Sequence, residues 1–290
     1  MTRLRADLLL LACAAIWGFG FVFQKSVMED LGIFTFIAAR SVIAVVALAP
    51  FAVHELQRAA TPLPPLFWRC AILGAVAFFI GTMLQQLGIK TASVTNTGFL
   101  TSTYIVFTPI AAWLISRIVP PRVVFAAVAV SIAGAWLLTG GSQDDMGQGE
   151  ILIAASALFW ATHMALMGVA SAYQRPLTFP LVQFFTMGLA AALPAALLEQ
   201  PSFADLQGAL PELLYIGVLT SALAYAVLAL ALRFAQPSEA AIILGTESVF
   251  GAIAGAAVNA DRLSAVSWLG ASMILLAALL VQLKPSYSKS

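Results

Sequence analysis

The chain has 290 residues, of which 61% are hydrophobic and only 9% carry a charged side chain, and its formal net charge is +1. A soluble domain has about 25% charged residues, so this composition excludes an ordinary soluble globular protein. The charge pattern also gives no support to nucleic-acid binding.

Ten apolar stretches, each about as long as a bilayer is thick, follow one another along the chain. Crossing about 30 Å of hydrocarbon takes roughly 20 helical residues. The predicted crossings cover residues 7–27, 33–53, 66–88, 93–115, 121–139, 149–170, 177–198, 209–233, 237–258 and 264–283. The sequence therefore predicts an all-α integral membrane protein with ten transmembrane helices.

The first apolar stretch has features of a secretory signal, because Arg3 and Arg5 precede it and Leu10-Leu11-Ala12-Cys13 is similar to a lipobox. The apolar run continues past Cys13 to Phe23, which favours a retained first transmembrane helix. The only cysteines, Cys13 and Cys70, lie in apolar segments without metal or redox spacing, so we interpret them as packing residues.

The charges separate when the loops between the ten crossings are sorted onto two sides. The side that holds both termini carries Arg3, Arg5, Arg58, Arg69, Arg117, Arg122, Arg175, Arg233, Lys284 and Lys289 against Asp7, Glu55 and Glu239. The other side carries Lys25, Lys90 and Arg262 against Glu29, Asp30, Asp144, Asp145, Glu150, Glu199, Asp205, Glu212 and Asp261. Because short cytoplasmic loops carry an excess of Lys and Arg, both termini are predicted in the cytoplasm.

A weak internal repeat relates the two halves of the chain. The longest clearly polar connection, residues 140–147, lies near the middle and divides the predicted helices five and five. An offset of 143 residues superposes Trp17 on Trp160 and Thr35 on Thr178. A shared offset of this kind is the signature of a structural repeat.

We therefore predict a first five-helix repeat at residues 1–142 and a second at residues 143–290. An odd number of crossings per repeat makes the second repeat enter the membrane from the opposite face. Transporters are the main users of such inverted repeats, because two mirrored halves can expose one midplane site alternately to each side.

Several short motifs carry a resemblance to a known family. They are Ala14-Ala15-Ile16-Trp17-Gly18, its echo Ala157-Leu158-Phe159-Trp160-Ala161, Pro109 in helix 4, Asn259-Ala260-Asp261-Arg262-Leu263-Ser264 and Trp268-Leu269-Gly270. With the five-plus-five layout, they make the chain similar to the EamA-type branch of the drug/metabolite transporter superfamily. The resemblance covers nearly the whole chain.

Within that branch, the chain is most similar to bacterial amino acid exporters, including the type that exports aromatic amino acids and methyl viologen. The resemblance implies a multi-pass exporter of the bacterial inner membrane with a central cavity lined by helices 1, 3, 4, 6, 8 and 9. The implied substrate is an amino acid or a similar metabolite.

Two tryptophans lie far from the membrane surfaces that indole rings prefer. Trp17 and Trp160 lie about 15–16 Å from the outer ends of their helices, at 1.5 Å per residue. They either fill the contact between helices 1 and 6 or face the cavity and stack against a substrate. Their symmetric placement favours the second interpretation.

Other side chains on the implied helices complete a candidate substrate-binding set. The set is Trp17, Phe21, Phe78, Phe79, Phe99, Tyr104, Trp160, His163, Tyr225, Glu247 and Phe250. Ordinary packing is the alternative for each isolated aromatic residue, and hydrogen bonding within the bundle is the alternative for His163.

Two fully charged side chains, Arg40 and Glu247, are predicted inside the hydrocarbon layer. A central charge costs roughly 2.5–3.5 kcal/mol on insertion scales, so it usually pairs, becomes protonated or reaches a water-filled cavity. Arg40 and Glu247 lie at similar depth and could form a pair. The alternatives are snorkelling for Arg40 and a protonated, hydrogen-bonded carboxyl for Glu247.

Other functions find less support in the sequence. An intramembrane enzyme would need a nucleophile with a base or paired carboxylates, and neither arrangement is present, so no catalytic residue is predicted. No ATP-binding signature occurs, which leaves gradients as the driving force. Within transport, a nucleotide substrate would need several midplane cations, whereas a multidrug or organic-cation carrier near Glu247 stays an alternative.

The expected partners are a small-molecule substrate and membrane lipid. We expect no cofactor, no metal ion and no obligate protein partner.

Overall fold

A computed structural model of the protein describes residues 1–59, 61–117, 119–139, 147–258 and 263–282. Every regular element in these ranges is helical, which confirms the all-α class. The α-helices are α1 (Arg3–Asp30), α2 (Ile33–Gln57), α3 (Pro65–Ile89), α4 (Val94–Ser102), α5 (Tyr104–Ser116), α6 (Arg122–Leu138), α7 (Gln148–Ala170), α8 (Thr178–Pro194), α9 (Phe203–Gly208), α10 (Leu210–Leu214), α11 (Ala224–Ala231), α12 (Pro237–Leu244), α13 (Glu247–Val258) and α14 (Ala265–Gln282). Ser171–Tyr173 form a 3₁₀ turn, and Ala195–Glu199 and Tyr215–Leu223 are π-helical.

Eight helical stretches of the described chain are long and apolar enough to cross a membrane. They are Arg3–Asp30, Ile33–Gln57, Pro65–Ile89, Val94–Ser116, Gln148–Tyr173, Thr178–Glu199, Leu210–Ala231 and Pro237–Val258. The apolar helices α6 and α14 are shorter. Each predicted crossing coincides with one of these helical stretches or with α6 or α14. The protein is therefore a multi-pass helical membrane protein.

The helices differ from the predicted crossings mainly at their ends. α1 begins at Arg3, because the Thr2 side chain accepts a hydrogen bond from the Arg5 N–H and caps the first turn. α2 continues to Gln57, beyond the apolar run. Hydropathy marks the segment that fits the hydrocarbon, whereas helical hydrogen bonds continue into the polar interface.

The helix bounds recur at the interval that the sequence repeat predicts. α6 begins at Arg122 and α14 at Ala265, 143 residues later. α4 begins at Val94 and α12 at Pro237, again 143 residues apart. The weak sequence similarity therefore coincides with a repeat of secondary structure. The middle of the polar connection, residues 140–146, and residues 259–262 of the family motif lie outside the described residues.

α2 and α8 pack side by side, and each supplies a carboxylate to the first turn of the other. Glu199 Oε2 accepts hydrogen bonds from the N–H and hydroxyl of Thr35, both at 2.7 Å. Glu55 Oε2 accepts the equivalent bonds from Thr178 at 2.9 and 2.6 Å. The carboxylates satisfy N–H groups that a helix start leaves without intrahelical partners and lie at the positive end of the helix dipole. Since each helix ends beside the start of the other, the two run antiparallel.

A local insertion separates the two capping carboxylates by one residue more than the repeat interval. Thr35 and Thr178 are 143 residues apart, whereas Glu55 and Glu199 are 144 apart. The difference falls near the π-helical segment Ala195–Glu199. A π-helical turn accommodates one extra residue, so the second half keeps its cap despite the insertion.

Glycine allows two pairs of helices to approach closely. A Cβ on Gly18 of α1 would lie 2.6 Å from the Glu247 carbonyl oxygen and 2.8 Å from the Gly251 nitrogen of α13. A Cβ on Gly134 of α6 would lie 2.7 Å from the Gly270 carbonyl oxygen of α14. Small residues let membrane helices pack at this distance. The contact at Gly18 places α1 directly against the helix that begins with Glu247.

Candidate functional site

A cavity lies between helices from both halves of the chain. Its lining consists of Trp17, Phe21, Gln24, Arg40, Gln85, Thr101, Tyr104, Trp160, His163, Met164, Thr220, Tyr225, Leu228 and Glu247. These side chains surround about 560 Å³ of space that contains no protein atoms, part of it open to the surroundings. Aromatic walls with a few charged and amide groups are typical of sites that orient a small organic molecule.

Two membrane-spanning stretches are interrupted where they reach this cavity. The first break lies at Thr103 between α4 and α5, and the second at Gly245-Thr246 between α12 and α13. The hydroxyls of Thr103 and Thr246 donate to the carbonyl oxygens three residues earlier, at 2.6 and 2.7 Å. Tyr104 and Glu247 follow the breaks directly and both line the cavity. Interrupted helices at corresponding positions of two repeats are a strong structural pointer to a transport site.

Glu247 presents an unpartnered oxygen near the cavity. The residue is 3% exposed, and its Oε1 atom has no hydrogen-bond partner among the described residues. The Tyr104 hydroxyl lies within electrostatic range of this carboxyl but makes no hydrogen bond of standard geometry. A buried polar atom without a partner costs free energy, so native proteins usually keep such atoms for a reason.

Arg40 is a buried cation held by a neutral partner. Its Nε and Nη2 atoms donate to Ser221 Oγ at 3.1 and 2.8 Å. The guanidinium also lies 5.4–5.9 Å from the ring centroids of Phe36, Phe78 and Phe184. These rings offer cation–π attraction, which offsets part of the cost of burying the charge.

Arg40 and Glu247 do not pair with each other. Within the described ranges, Arg40 has no carboxylate within 4.0 Å, and its Nη1 atom makes no hydrogen bond. Tyr225 lies within electrostatic range of both residues and lines the cavity with them. The pair left open by the sequence is therefore absent, and the cavity contains one unpaired group of each charge type.

The π-helical segment Tyr215–Leu223 brings the partners of two cavity residues to the site. Ser221 binds Arg40, and the Thr220 carbonyl accepts a hydrogen bond from Trp17 Nε1 at 2.9 Å. The Trp17 ring packs against Tyr225 with centroids 4.9 Å apart. A π-helical turn changes the direction of successive side chains, and such turns are frequent at functional sites.

Trp160 and His163 occupy the second side of the cavity on α7. The Nε1 atom of Trp160 is buried and has no hydrogen-bond partner among the described residues. His163 Nε2 lies 3.0 Å from Gln183 Oε1, and the ring is 2% exposed. Trp17 and Trp160 thus line the cavity at equivalent positions of the repeat, but only Trp17 has its indole nitrogen satisfied.

The structure brings together most of the residues that the sequence identifies. Trp17, Phe21, Tyr104, Trp160, His163, Tyr225, Glu247 and Arg40 all line the cavity. Their part in substrate binding stays a prediction. Cys13 and Cys70 are both buried and free.

Four predicted aromatic residues lie behind or beside the lining. Phe78 packs behind it, 4.6 Å from the Tyr225 ring and 5.2 Å from the Trp160 ring by centroids. Phe99 contacts Trp136 on α6, Phe250 contacts Phe19, and Phe79 packs against the hydrophobic core. The sequence gives the depth of these residues correctly, but helix rotation turns their rings away from the cavity.

Two glutamines were absent from the predicted set. Gln24 and Gln85 line the cavity. The Gln86 side-chain amide donates to Gln24 Oε1, and that of Gln85 donates to Thr101 Oγ1 at 2.8 Å. An amide within an apolar segment is costly in lipid, so this signal was available in the sequence. Within the described chain, no group of three His, Cys, Asp or Glu residues could hold a metal ion.

Comparisons with known proteins agree with a transport fold. Residues 4–140 and 147–283 each match the model of the EamA-like transporter family. An "Uncharacterized transporter" of Archaeoglobus fulgidus is 29% identical over 282 residues, covering 97% of this chain and 87% of the relative. A crystal structure of another protein shares the fold, with a TM-score of 0.76 at 14% identity over 97% of this chain and 98% of that one.

Proposed function

This chain belongs to the EamA-like transporter family, and from that premise we propose that it exports amino acids across the bacterial inner membrane. Secondary transport by alternating access moves the substrate through the central cavity. The observation that carries the proposal is the presence of Arg40 and Glu247 in one cavity without an ion pair between them.

An α-amino acid offers the two groups that these residues lack. Its carboxylate can accept hydrogen bonds from the Arg40 guanidinium, whose Nη1 atom is unused, and its ammonium group can donate to Glu247. Both contacts are charge-assisted, which makes them stronger than neutral hydrogen bonds. The rings of Trp17, Trp160 and Tyr225 line the same cavity and favour apolar or aromatic substrate side chains.

The proposed architecture has ten crossings in two inverted five-helix repeats, divided between residues 142 and 143. Three observations support it: the recurrence of helix bounds, the corresponding helix breaks at Thr103 and Thr246, and the reciprocal caps of α2 and α8. An in-plane two-fold axis would relate α2 to α8 and make them antiparallel. Broken helices that meet at the midplane provide the irregular backbone on which transporters place substrate.

Orientation follows from the charge distribution, and it predicts that the loop around residue 143 is periplasmic. We expect Gln143→Cys, in a chain lacking Cys13 and Cys70, to react with an impermeant maleimide added to intact cells. The matched control, Lys289→Cys, should react only after the cells are opened. The reverse pattern would contradict the proposed topology.

The function itself is tested by flux in liposomes that contain only the purified protein. We expect uptake of labelled neutral amino acids above protein-free liposomes, with phenylalanine or leucine transported faster than aspartate or lysine. An extra side-chain charge would meet the same low-polarity walls at a cost. Transport of an organic cation without any amino acid would instead support the multidrug alternative.

A further inference from the structure

An ionic cluster joins the first turns of α1 and α12. Arg3 Nε donates to Asp7 Oδ1 at 2.8 Å, and Arg3 Nη1 donates to Glu239 Oε2 at 2.7 Å. Arg3 Nη1 also donates to the Phe234 carbonyl oxygen at 3.4 Å. Asp7 and Glu239 are only 2% and 5% exposed, although both lie near helix starts. The cluster therefore fastens two helices together with one cation and two buried carboxylates.

The same two helices lead from this cluster to the cavity. α1 runs from Asp7 past Cys13 to Trp17, a distance of about 15 Å at 1.5 Å per residue. α12 runs from Glu239 to the break that precedes Glu247. A change in the separation of α1 and α12 at the cluster would thus alter the end of the cavity that faces it.

The corresponding positions in the other repeat carry no such cluster. Asp7 corresponds to Glu150 and Glu239 to Asn96 at the repeat interval. Neither residue takes part in an ion pair among the described residues. The neutral hydrogen bonds of Gln24 and Gln85 lie toward that end of the helices. The two ends of the pathway are therefore closed by different chemistry.

We propose that Arg3, Asp7 and Glu239 form the cytoplasmic gate of the transport pathway. The intact cluster holds α1 against α12, and its separation opens the cavity to the cytoplasm. Charged groups regain hydration when they separate, which offsets the lost ion pairs and keeps the open and closed states close in free energy. The proposal rests on the proposed function in that the cavity is loaded from the cytoplasmic side.

Cys13 provides a reporter for this gate. It is 1% exposed, donates from Sγ to the Ala224 carbonyl oxygen at 3.4 Å, and lies between the cluster and the cavity. In a Cys70→Ala background, inside-out vesicles are treated with a charged maleimide and alkylation of Cys13 is followed by mass spectrometry. We expect Arg3→Gln and Glu239→Gln each to accelerate alkylation by about tenfold, through a larger open population.

Two further variants separate a gate from a general loosening of the bundle. The double variant Arg3→Glu with Glu239→Arg keeps one guanidinium beside two carboxylates and should restore slow alkylation. Glu150→Gln, the matched change at the other end, should leave the rate unchanged. All rates are measured on the monodisperse fraction, so that misfolded protein does not contribute.

Several outcomes would overturn the gate. They are alkylation at the original rate in both single variants, fast alkylation in the double variant, or equal acceleration by Glu150→Gln. The flux assay fails independently: a protein that transports no amino acid but shows the expected Cys13 rates keeps the gate and loses the proposed substrate.

Discussion

Replacing Arg40 with Gln is expected to lower the flux of phenylalanine, measured below saturation, by about tenfold to a hundredfold. The substrate carboxylate would lose the only fully charged cation in the described lining. A hydrogen bond to a charged group contributes about 1.5–3 kcal/mol, and about 1.4 kcal/mol corresponds to a tenfold change in affinity. Flux is measured in liposomes and divided by the amount of folded protein.

The substrate supplies the best control for Arg40. Phenethylamine has the ring and the ammonium group of phenylalanine but no carboxylate, so Arg40→Gln should lower its flux much less. Arg40→Lys retains the charge without the planar fork and should have an intermediate effect. Assembly is expected to survive, because removing a cation that has no carboxylate partner leaves no opposite charge buried alone. Equal loss for both substrates would contradict a carboxylate-binding role.

Replacing Glu247 with Gln is expected to produce the opposite selectivity. The amide keeps the shape of the side chain but removes the negative charge that would hold the substrate ammonium group. Phenylalanine flux should fall by about tenfold or more, the loss expected for a charge-assisted hydrogen bond. The measurement is the same liposome assay, with phenylalanine and 3-phenylpropionate compared side by side.

3-Phenylpropionate has the ring and the carboxylate but no ammonium group, so Glu247→Gln should leave its flux unchanged or increase it. Tyr104→Phe is the matched variant, since it removes the neighbouring hydroxyl and leaves the carboxyl in place. It should have a smaller effect than Glu247→Gln on phenylalanine. A Glu247→Gln protein that still prefers phenylalanine to 3-phenylpropionate by the original ratio would exclude the ammonium contact.

The two variants together distinguish recognition from structural damage. A disrupted cavity would lower the flux of every compound in both proteins. Recognition of both charged ends predicts instead that each variant discriminates against one missing group only. The crossed pattern therefore bears on the amino acid assignment more directly than either loss of activity alone.

The sequence predicts the helical class and the positions of the membrane-spanning stretches because both depend on local properties. A run of about 20 apolar residues has to cross the bilayer, and only a helix satisfies its backbone there. The repeat was also visible, since Trp17 and Trp160 share an offset with Thr35 and Thr178. The embedded residues Arg40 and Glu247 were identified by the cost of a charge in hydrocarbon.

The helix breaks were decided by the tertiary structure. No proline lies at Thr103 or Thr246 to signal an interruption, and each break is stabilised by a threonine hydroxyl that bonds its own helix. The glycine before Thr246 weakens the helix locally, but Thr103 has no such neighbour. Contacts with the surrounding helices are needed to make an interrupted helix the lower free-energy state.

By itself, the sequence determined how deep each side chain lies, and the tertiary structure decided which way it points. Residue number along a helix fixes depth at 1.5 Å per residue. Rotation about the helix axis depends on packing against several neighbours at once. For this reason Phe99 and Phe250 turned away from the cavity, and Arg40 bonded Ser221 on a distant π-helical turn instead of Glu247.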